Sequence, residues 1–430
     1  MTEIWKNKSL RKKILILIGT MTLIRIGSQI PIPGVNTEYM KVILENSGLS
    51  FINMMTGSSF SQMSLFALSI SPYITASIVF QLLAIAVPAI EEWHKDGKTG
   101  KEKLERATVI LAMVLALIQA LFMSIGLGRQ GLLEPYTWWM AMITTTIWTG
   151  GAGLLIYIGN RITKLNIGSG ISYILLFNIL STFPQDLYTL YEIFMSGKKI
   201  QFQIVYAVII AMIFAAIVIA CIGIHLAAKK IPTTFSGKMA NGYTYKHDLP
   251  IPLNACGVMP IIFSGTIISV PLMISNFLPE VSWLNKLSMY LNERNWFNTI
   301  TPQYSLGAIL YIVLTLVFAV FYLDITLNPM EMANNLRQQG AVIPGIRPGK
   351  PTADYLKNTI KKVGMFGAVL VLALILVMTL ICNCSGASSL SIGGTSILIC
   401  VNVVIDSAKA IRIEQQSSNP YAYKSLTGSH

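Results

Sequence analysis

The chain has 430 residues, 53% of them hydrophobic and 12% charged, with a formal net charge of +13. A soluble domain holds about 25% charged residues, so the composition excludes an ordinary water-soluble enzyme and points to a membrane protein with a basic face. Ten apolar stretches follow one another, near 14–30, 66–90, 107–127, 137–159, 171–193, 202–226, 254–278, 304–327, 363–384 and 389–408. Most have the roughly 20 residues that cross about 30 Å of hydrocarbon. Each is predicted to be a helix, because an isolated span must satisfy its own backbone hydrogen bonds.

The lead, MTEIWKNKSLRKK, is basic and amphipathic, and no small-residue cleavage site follows it. The first stretch contains Arg25, the one clear mid-span charge; Glu192, Asp324 and Asp406 fall near span ends. A charge at mid-bilayer costs a few kcal/mol. Local pairing or snorkelling is therefore expected of Arg25 in preference to a transport role. After it comes TGSSFSQMSLFALSISPYI, Thr56 to Ile74, too polar at its start to span and too apolar at its end for an outside loop.

The second stretch carries Pro72 and Pro88, and the seventh carries Pro260 and Pro271. Ten spans divide into five and five, and an odd number per half makes the second half enter from the opposite side. This is the arithmetic of an inverted repeat, in which interrupted spans at matching positions mark the pathway. Spans two and seven are thus predicted to be the moving parts. The tenth stretch, SLSIGGTSILICVNVVID, is short and glycine-bearing and fits a span least well.

With the N-terminus inside, 25 of the 32 Lys and Arg fall on inner segments. The positive-inside rule then places both termini in the cytoplasm. The basic face suits anionic phospholipid, which accounts for most of the charge without nucleic acid.

Coupling chemistry is missing. GIRPGKPT, Gly345 to Thr352, has its glycines one residue too close for a phosphate loop and Pro351 at the Ser/Thr position. GKT at Gly97 to Thr99 lacks the upstream glycine. His94, His225, His247 and His430 are not expected to cluster with Cys or acids, so hydrolase and metalloprotease readings have no residues to use. Cys221, Cys256, Cys382, Cys384 and Cys400 lie in or beside apolar runs and read as small buried hydrophobes. No cofactor is expected. Three classes remain open on these grounds: a channel driven from outside, a secondary transporter or flippase of small amphiphiles, and a membrane scaffold. A carrier should hold a midplane charged cluster, and none is visible.

Six segments in order resemble the SecY subunit of the bacterial Sec protein translocase. They are RIGSQIPIPGV (Arg25–Val35), FALSISPYITASIVFQLL (Phe66–Leu83), GNRITKLNIGSGIS (Gly159–Ser172), IPLNACGVMPIIF (Ile251–Phe263), NPMEMANNLRQQGAVIPGIRPGKPTADYL (Asn328–Leu356) and GGTSILICVNVVID (Gly393–Asp406). The resemblance implies an all-α membrane protein, ten transmembrane helices in two inverted five-helix halves around a central pore with a re-entrant plug. The halves would be 1–200 and 201–412, with a cytoplasmic tail at 413–430. It implies a channel in the bacterial cytoplasmic membrane that moves unfolded secretory proteins across and releases apolar segments into lipid, without catalysis of its own.

The resemblance also assigns residues. The plug would be a half-helix over roughly Phe51 to Leu65, with Thr56, Gly57, Ser58, Ser59 and Phe60 at its heart. The small residues would make it easy to dislodge. The pore ring would be Ile70 and Ile74, Leu175 and Ile179, Ile262 and Ile399. The first two pairs are spaced four apart, as on one helix face, and apolar rings block ions by dewetting. The lateral gate would run along Thr75, Gln119, Asn254 and Val270, on the seam of spans two and seven. Lys229, Lys230 and Arg347 would form the cytoplasmic docking face. Implied partners are SecE and SecG, the SecA motor or the ribosome, signal peptides and unfolded secretory proteins. In one respect the chain departs from the family: after Lys229 and Lys230 the loop before span seven lacks a dense Arg/Lys run. The second reading is therefore an accessory or divergent translocon with a restricted substrate set.

Overall fold

The computed structural model describes residues 8–47, 49–95, 97–196, 199–240, 243–277, 281–297, 302–385 and 394–417. The expectations for the first seven residues, for His430 and for most of the tail lie outside these. Each of the ten apolar stretches carries an α-helix. In chain order, with the shorter helices between them, they are α1 (Lys8–Ser28), α2 (Thr37–Ser47), α3 (Ser50–Thr56), α4 (Ser71–Ala86), α5 (Pro88–Lys95), α6 (Gly97–Phe122), α7 (Trp138–Thr163), α8 (Gly170–Phe194) and α9 (Ile200–Leu226). Then follow α10 (Met259–Phe277), α11 (Ser282–Leu291), α12 (Leu306–Thr326), α13 (Pro329–Gln338), α14 (Lys350–Cys384) and α15 (Gly394–Ser417). Six of these helices, α6, α7, α9, α10, α12 and α14, lie in stretches long and apolar enough to cross a membrane, while α4 is apolar but shorter.

Several boundaries differ from expectation. The second stretch is helical only from Ser71, because Pro72 occupies the first turn, where its missing N–H costs nothing. Residues 57–70 form turns instead. The last helix runs to Ser417, past the expected tail boundary at 412. The chain is also not all-α: β1 (Ala228–Ala240) and β2 (Tyr243–Pro252) pair antiparallel, and β3 (Ala341–Val342) adds to β1. The sheet forms where the chain has left the apolar stretches, and β-branched Ile231, Thr233 and Thr234 favour the extended backbone. Ile231 and Ile251 then face a buried cluster with Leu323, Ile343, Leu356 and Ile360, which seats the sheet on α12 and α14.

Helices α4, α6, α7 and α8 pack in sequence; α10, α12, α14 and α15 do so as well, and α9 lies on α14 and α15. The turn between α7 and α8 shows how local chemistry fixes such a contact. Ser169 caps α8, and Thr163 Oγ1 both donates to the Gly159 carbonyl (3.0 Å) and accepts from Gly170 N–H (2.9 Å). A Cβ on Gly170 would collide with that Gly159 carbonyl and with Ile162. Gly170→Val should therefore lower stability by about 1–3 kcal/mol, measured as a drop in the thermal midpoint of the detergent-purified protein.

Two charged features escape a reading by sequence alone. His225, expected to stand apart from acids, approaches Asp406 Oδ1 at 3.3 Å and Lys409 Nζ at 3.3 Å, so α9 and α15 are joined by polar contacts. Asp186 is buried within α8, a second ionisable residue inside an apolar stretch in addition to Arg25.

Candidate functional site

The short helix α3 touches α8, α4 and α10. Its Phe51, Met54 and Met55 are buried. The Phe51 ring lies against Gly265 of α10, where any Cβ would meet it at 2.7 Å. The same apolar cluster contains Ile70, Ile74, Leu175, Ile179, Ile262 and Ile399, which are at most 8% exposed. Four elements thus converge there: the start of α4, and α8, α10 and α15. Ile70 caps α4 from outside the helix, yet the Ile74 N–H donates to its carbonyl at 3.1 Å, so the two side chains still stack one turn apart.

After α3 the chain is held by turns. Gly57 closes the helix at φ +63°, and Ser58 follows at φ +64°. Such left-handed backbone suits glycine and is uncommon elsewhere. The expected half-helix over 51–65 is therefore one helix, Ser50–Thr56, followed by a hydrogen-bonded coil. Within it Ser58 N–H donates to Asn53 O, Ser61 N–H to Asn53 Oδ1, and Ser64 N–H to Ser59 O. Thr56, Gly57, Ser59 and Phe60 are buried and Ser58 is half-buried. The far end is tied to the Pro-rich exit of α1: Ile32 N–H donates to Met63 O at 3.3 Å and Leu65 N–H to Ile30 O at 3.1 Å. The fully buried Trp148 of α7 donates from Nε1 to Ser64 O at 3.1 Å. The segment thus divides: residues 63–65 are bonded to the exit of α1 and to α7, while α3 packs against α8, α4 and α10.

Two polar side chains inside the apolar cluster hold residues 55–57. Arg25 Nη1 donates to Gly57 O at 3.1 Å, and Asn178 Nδ2 donates to Met55 O at 2.9 Å and to Ser69 Oγ at 3.1 Å. Arg25 was expected to pair locally or snorkel; instead its partner is a backbone carbonyl 32 residues on, in the segment after α3. Sequence reasoning did not select Asn178; its one signal was a lone amide in the apolar run LLFNIL.

Beside this cluster, Thr75 of α4, Gln119 of α6 and Val270 of α10 line one small cleft together with Phe51, Ser269 and Thr266. Asn254 is not among them. It lies in the turn before α10, where its carbonyl accepts from Gly257 N–H. At one end of the seam the contact is polar: Tyr39 OH donates to Gln130 Oε1 at 3.2 Å, and Gln130 Nε2 donates to Asn276 O at 3.3 Å. That bridge between α2, the short turn Gly128–Gln130 after α6, and α10 was not legible from spacing.

Lys229 and Lys230 are exposed on β1, and Arg347 is exposed in the turn before α14, whose Leu356 is buried. The β1–β3 pairing, Thr234 opposite Val342, joins their two loops into one platform. Gly349 at φ +103° and Pro351 start α14, and Thr352 Oγ1 donates to Arg347 O at 2.8 Å. The phosphate-loop look-alike is thus a helix start that presents Arg347. Among the described residues no group of three or more His, Cys, Asp or Glu could hold a metal.

The SecY family model matches residues 64–408. Protein translocase subunit SecY of Staphylococcus epidermidis is 32% identical over 422 residues, covering 95% of each chain. That of Halalkalibacterium halodurans is 32% identical over 427 residues, covering 96% of each chain. A solved protein-conducting channel superposes with a TM-score of 0.71 at 19% identity, covering 96% of this chain and 93% of that one. A structure concerned with the SecY plug domain, which is described as stabilising the closed channel, gives 0.66 at 18% identity, with the same coverage. At those identities the likeness is one of fold.

Proposed function

This chain belongs to the SecY family, and from that premise we infer that it is the protein-conducting subunit of a bacterial translocase. It passes unfolded secretory proteins across the cytoplasmic membrane and releases apolar segments into lipid. The observation that carries this reading is the convergence of six apolar side chains from four elements on a buried constriction that α3 fills.

The working parts follow from that geometry. The chain crosses the membrane ten times in two inverted halves, with both termini in the cytoplasm. Residues 50–59 are the plug, and the 60–65 coil is the tether that keeps it with the first half. The ring of Ile70, Ile74, Leu175, Ile179, Ile262 and Ile399 seals around the moving chain. Its bulky flexible side chains part for a peptide yet leave no wet path for ions. The gate opens between α4 and α10 along Thr75, Gln119 and Val270, where a signal peptide's apolar core of about 7–15 residues reaches lipid. Asn254 belongs to the approach to this seam from the cytoplasmic side. SecE and SecG are the membrane partners. The chain has no nucleotide loop of its own, so SecA or the ribosome supplies the drive, docking on Lys229, Lys230 and Arg347. The exposed lysines also suit anionic phospholipid.

Reconstitution tests this directly. Vesicles holding the chain with SecE and SecG should import a secretory precursor when SecA and ATP are added, and should reject the same precursor without its signal sequence. Failure to import with an active motor would remove the channel reading. Arg347→Glu should weaken motor or ribosome association by about tenfold, more at low salt, because a charge on an interface rim acts through steering. The check is a binding titration at two ionic strengths. A second reading, an accessory translocon for few substrates, is favoured by the sparse charge of the β1–β2 hairpin. It predicts import of some precursors and not others in the same assay.

A further inference from the structure

We propose that Arg25 and Asn178 are positioning residues that latch the plug, each by gripping one backbone carbonyl at the end of α3. This rests on the reading of residues 50–59 as the plug. A helix leaves its last carbonyls without intrahelical partners. Here α3 is only seven residues long and ends at Gly57 in the left-handed region. The Met55 carbonyl accepts from Asn178 Nδ2 of α8 at 2.9 Å, and the Gly57 carbonyl accepts from Arg25 Nη1 of α1 at 3.1 Å. Both donors come from the first half, the side to which residues 60–65 are already tied.

The fit around Gly57 is close. A Cβ there would meet Arg25 Nη1 at 2.8 Å and the Asn178 backbone at 2.9 Å. Glycine is thus required by conformation and by space, and it lets the carbonyl reach the guanidinium. Asn178 is 3% exposed and Arg25 is half-buried, so neither bond competes freely with water. Asn178 spends its second N–H on Ser69 Oγ, next to Ile70 of the ring, and so links plug to ring through one amide. The small serines of the plug make it easy to move only after these two grips are released. When the plug leaves, both donors face the wetted pore, where water replaces the carbonyls. That keeps the latch weak enough for a translocating chain to undo.

Loss of a hydrogen bond to a charged group shifts an equilibrium by roughly tenfold or more. The test is resting ion conductance of the full chain with its membrane partners in planar bilayers, normalised to the number of inserted complexes. Arg25→Gln should raise it about tenfold and Asn178→Ala, which removes a neutral amide, about threefold or more, and together they should raise it by less than the product, because the two grips hold one segment. Arg25→Lys keeps the cation and a donor and should recover most of the seal, which a merely structural loss would not allow. Asn178→Ala leaves the Arg25 charge in place and carries the test should Arg25→Gln fail to insert. If neither variant leaks while deletion of 51–59 does, the plug reading stands and the latch is overturned. If that deletion also leaves the conductance unchanged, the plug reading falls and the latch with it.

Discussion

Replacing Ile179 by Asn is expected to make the closed membrane leak ions and to let precursors with defective signal sequences through. Ile179 is 0% exposed and packs in the cluster that holds Ile74, Leu175, Ile262, Ile399 and the α3 side chains Phe51 and Met54. A buried amide without a partner costs about 1–3 kcal/mol, and that cost falls on the closed state alone. In the open state the same position faces water and the amide is solvated. A two-state gate biased by that amount moves about 5- to 150-fold toward open. The amide would also give water a foothold in a constriction whose seal depends on dewetting. The check is single-channel open probability beside import of a precursor with a disrupted signal core. An Ile179→Asn channel as tight and as selective as the parent would contradict the ring assignment. Ile179→Leu, which conserves volume and polarity, should change neither readout much.

Tying Thr75 to Val270 should abolish translocation. The two residues line one cleft, Thr75 on α4 and Val270 on α10, together with Gln119 of α6. Along this side α10 meets α4, α3 and the Met123–Leu127 turn, and Gln130 Nε2 donates to Asn276 O. With cysteines at both positions and the five native cysteines replaced, a short bifunctional thiol reagent should block import essentially completely. The same reagent on either single variant should leave import near the untreated level. A reducible form of the linker should restore activity on cleavage. Full import through the crosslinked protein would show that α4 and α10 need not separate. By contrast, crosslinking Thr75 to a cysteine at Asn254 should be inefficient, because Asn254 stands in the turn ahead of α10 and away from the cleft.

The two regions differ in how far the sequence foretold them. Long apolar runs announce helices because burial in lipid imposes the same demand on every residue, and all ten runs do carry helices. The prolines at 72, 88, 260 and 271 picked out α4 and α10 from pattern alone, and these two line the candidate gate. The ring positions could not be chosen from physics, since any Ile in such a helix reads as packing; the family resemblance supplied them. The short-range chemistry around the plug was least legible. Left-handed turns at Gly57, Ser58, Met63 and Ser69 depend on backbone angles that composition does not fix. The grips by Arg25 and Asn178 join residues 32 and 123 positions apart. The β1–β2 hairpin was read as a loop because its flanks were judged by charge rather than by β-branched content. His225 looked solitary because Asp406 reaches it only through the packing of α9 on α15.

A photo-reactive residue at Ile262 tests the central claim most directly. Ile262 is 2% exposed, at the first turn of α10, inside the cluster that α3 fills. The reconstituted channel is presented with a stalled secretory precursor, with and without SecA and ATP. The account predicts a crosslink to the precursor that requires both a working signal sequence and the motor, and that replaces the resting-state crosslink to the protein's own helices. Labelling of lipid or of its own helices alone, under conditions where the precursor is engaged, would contradict it.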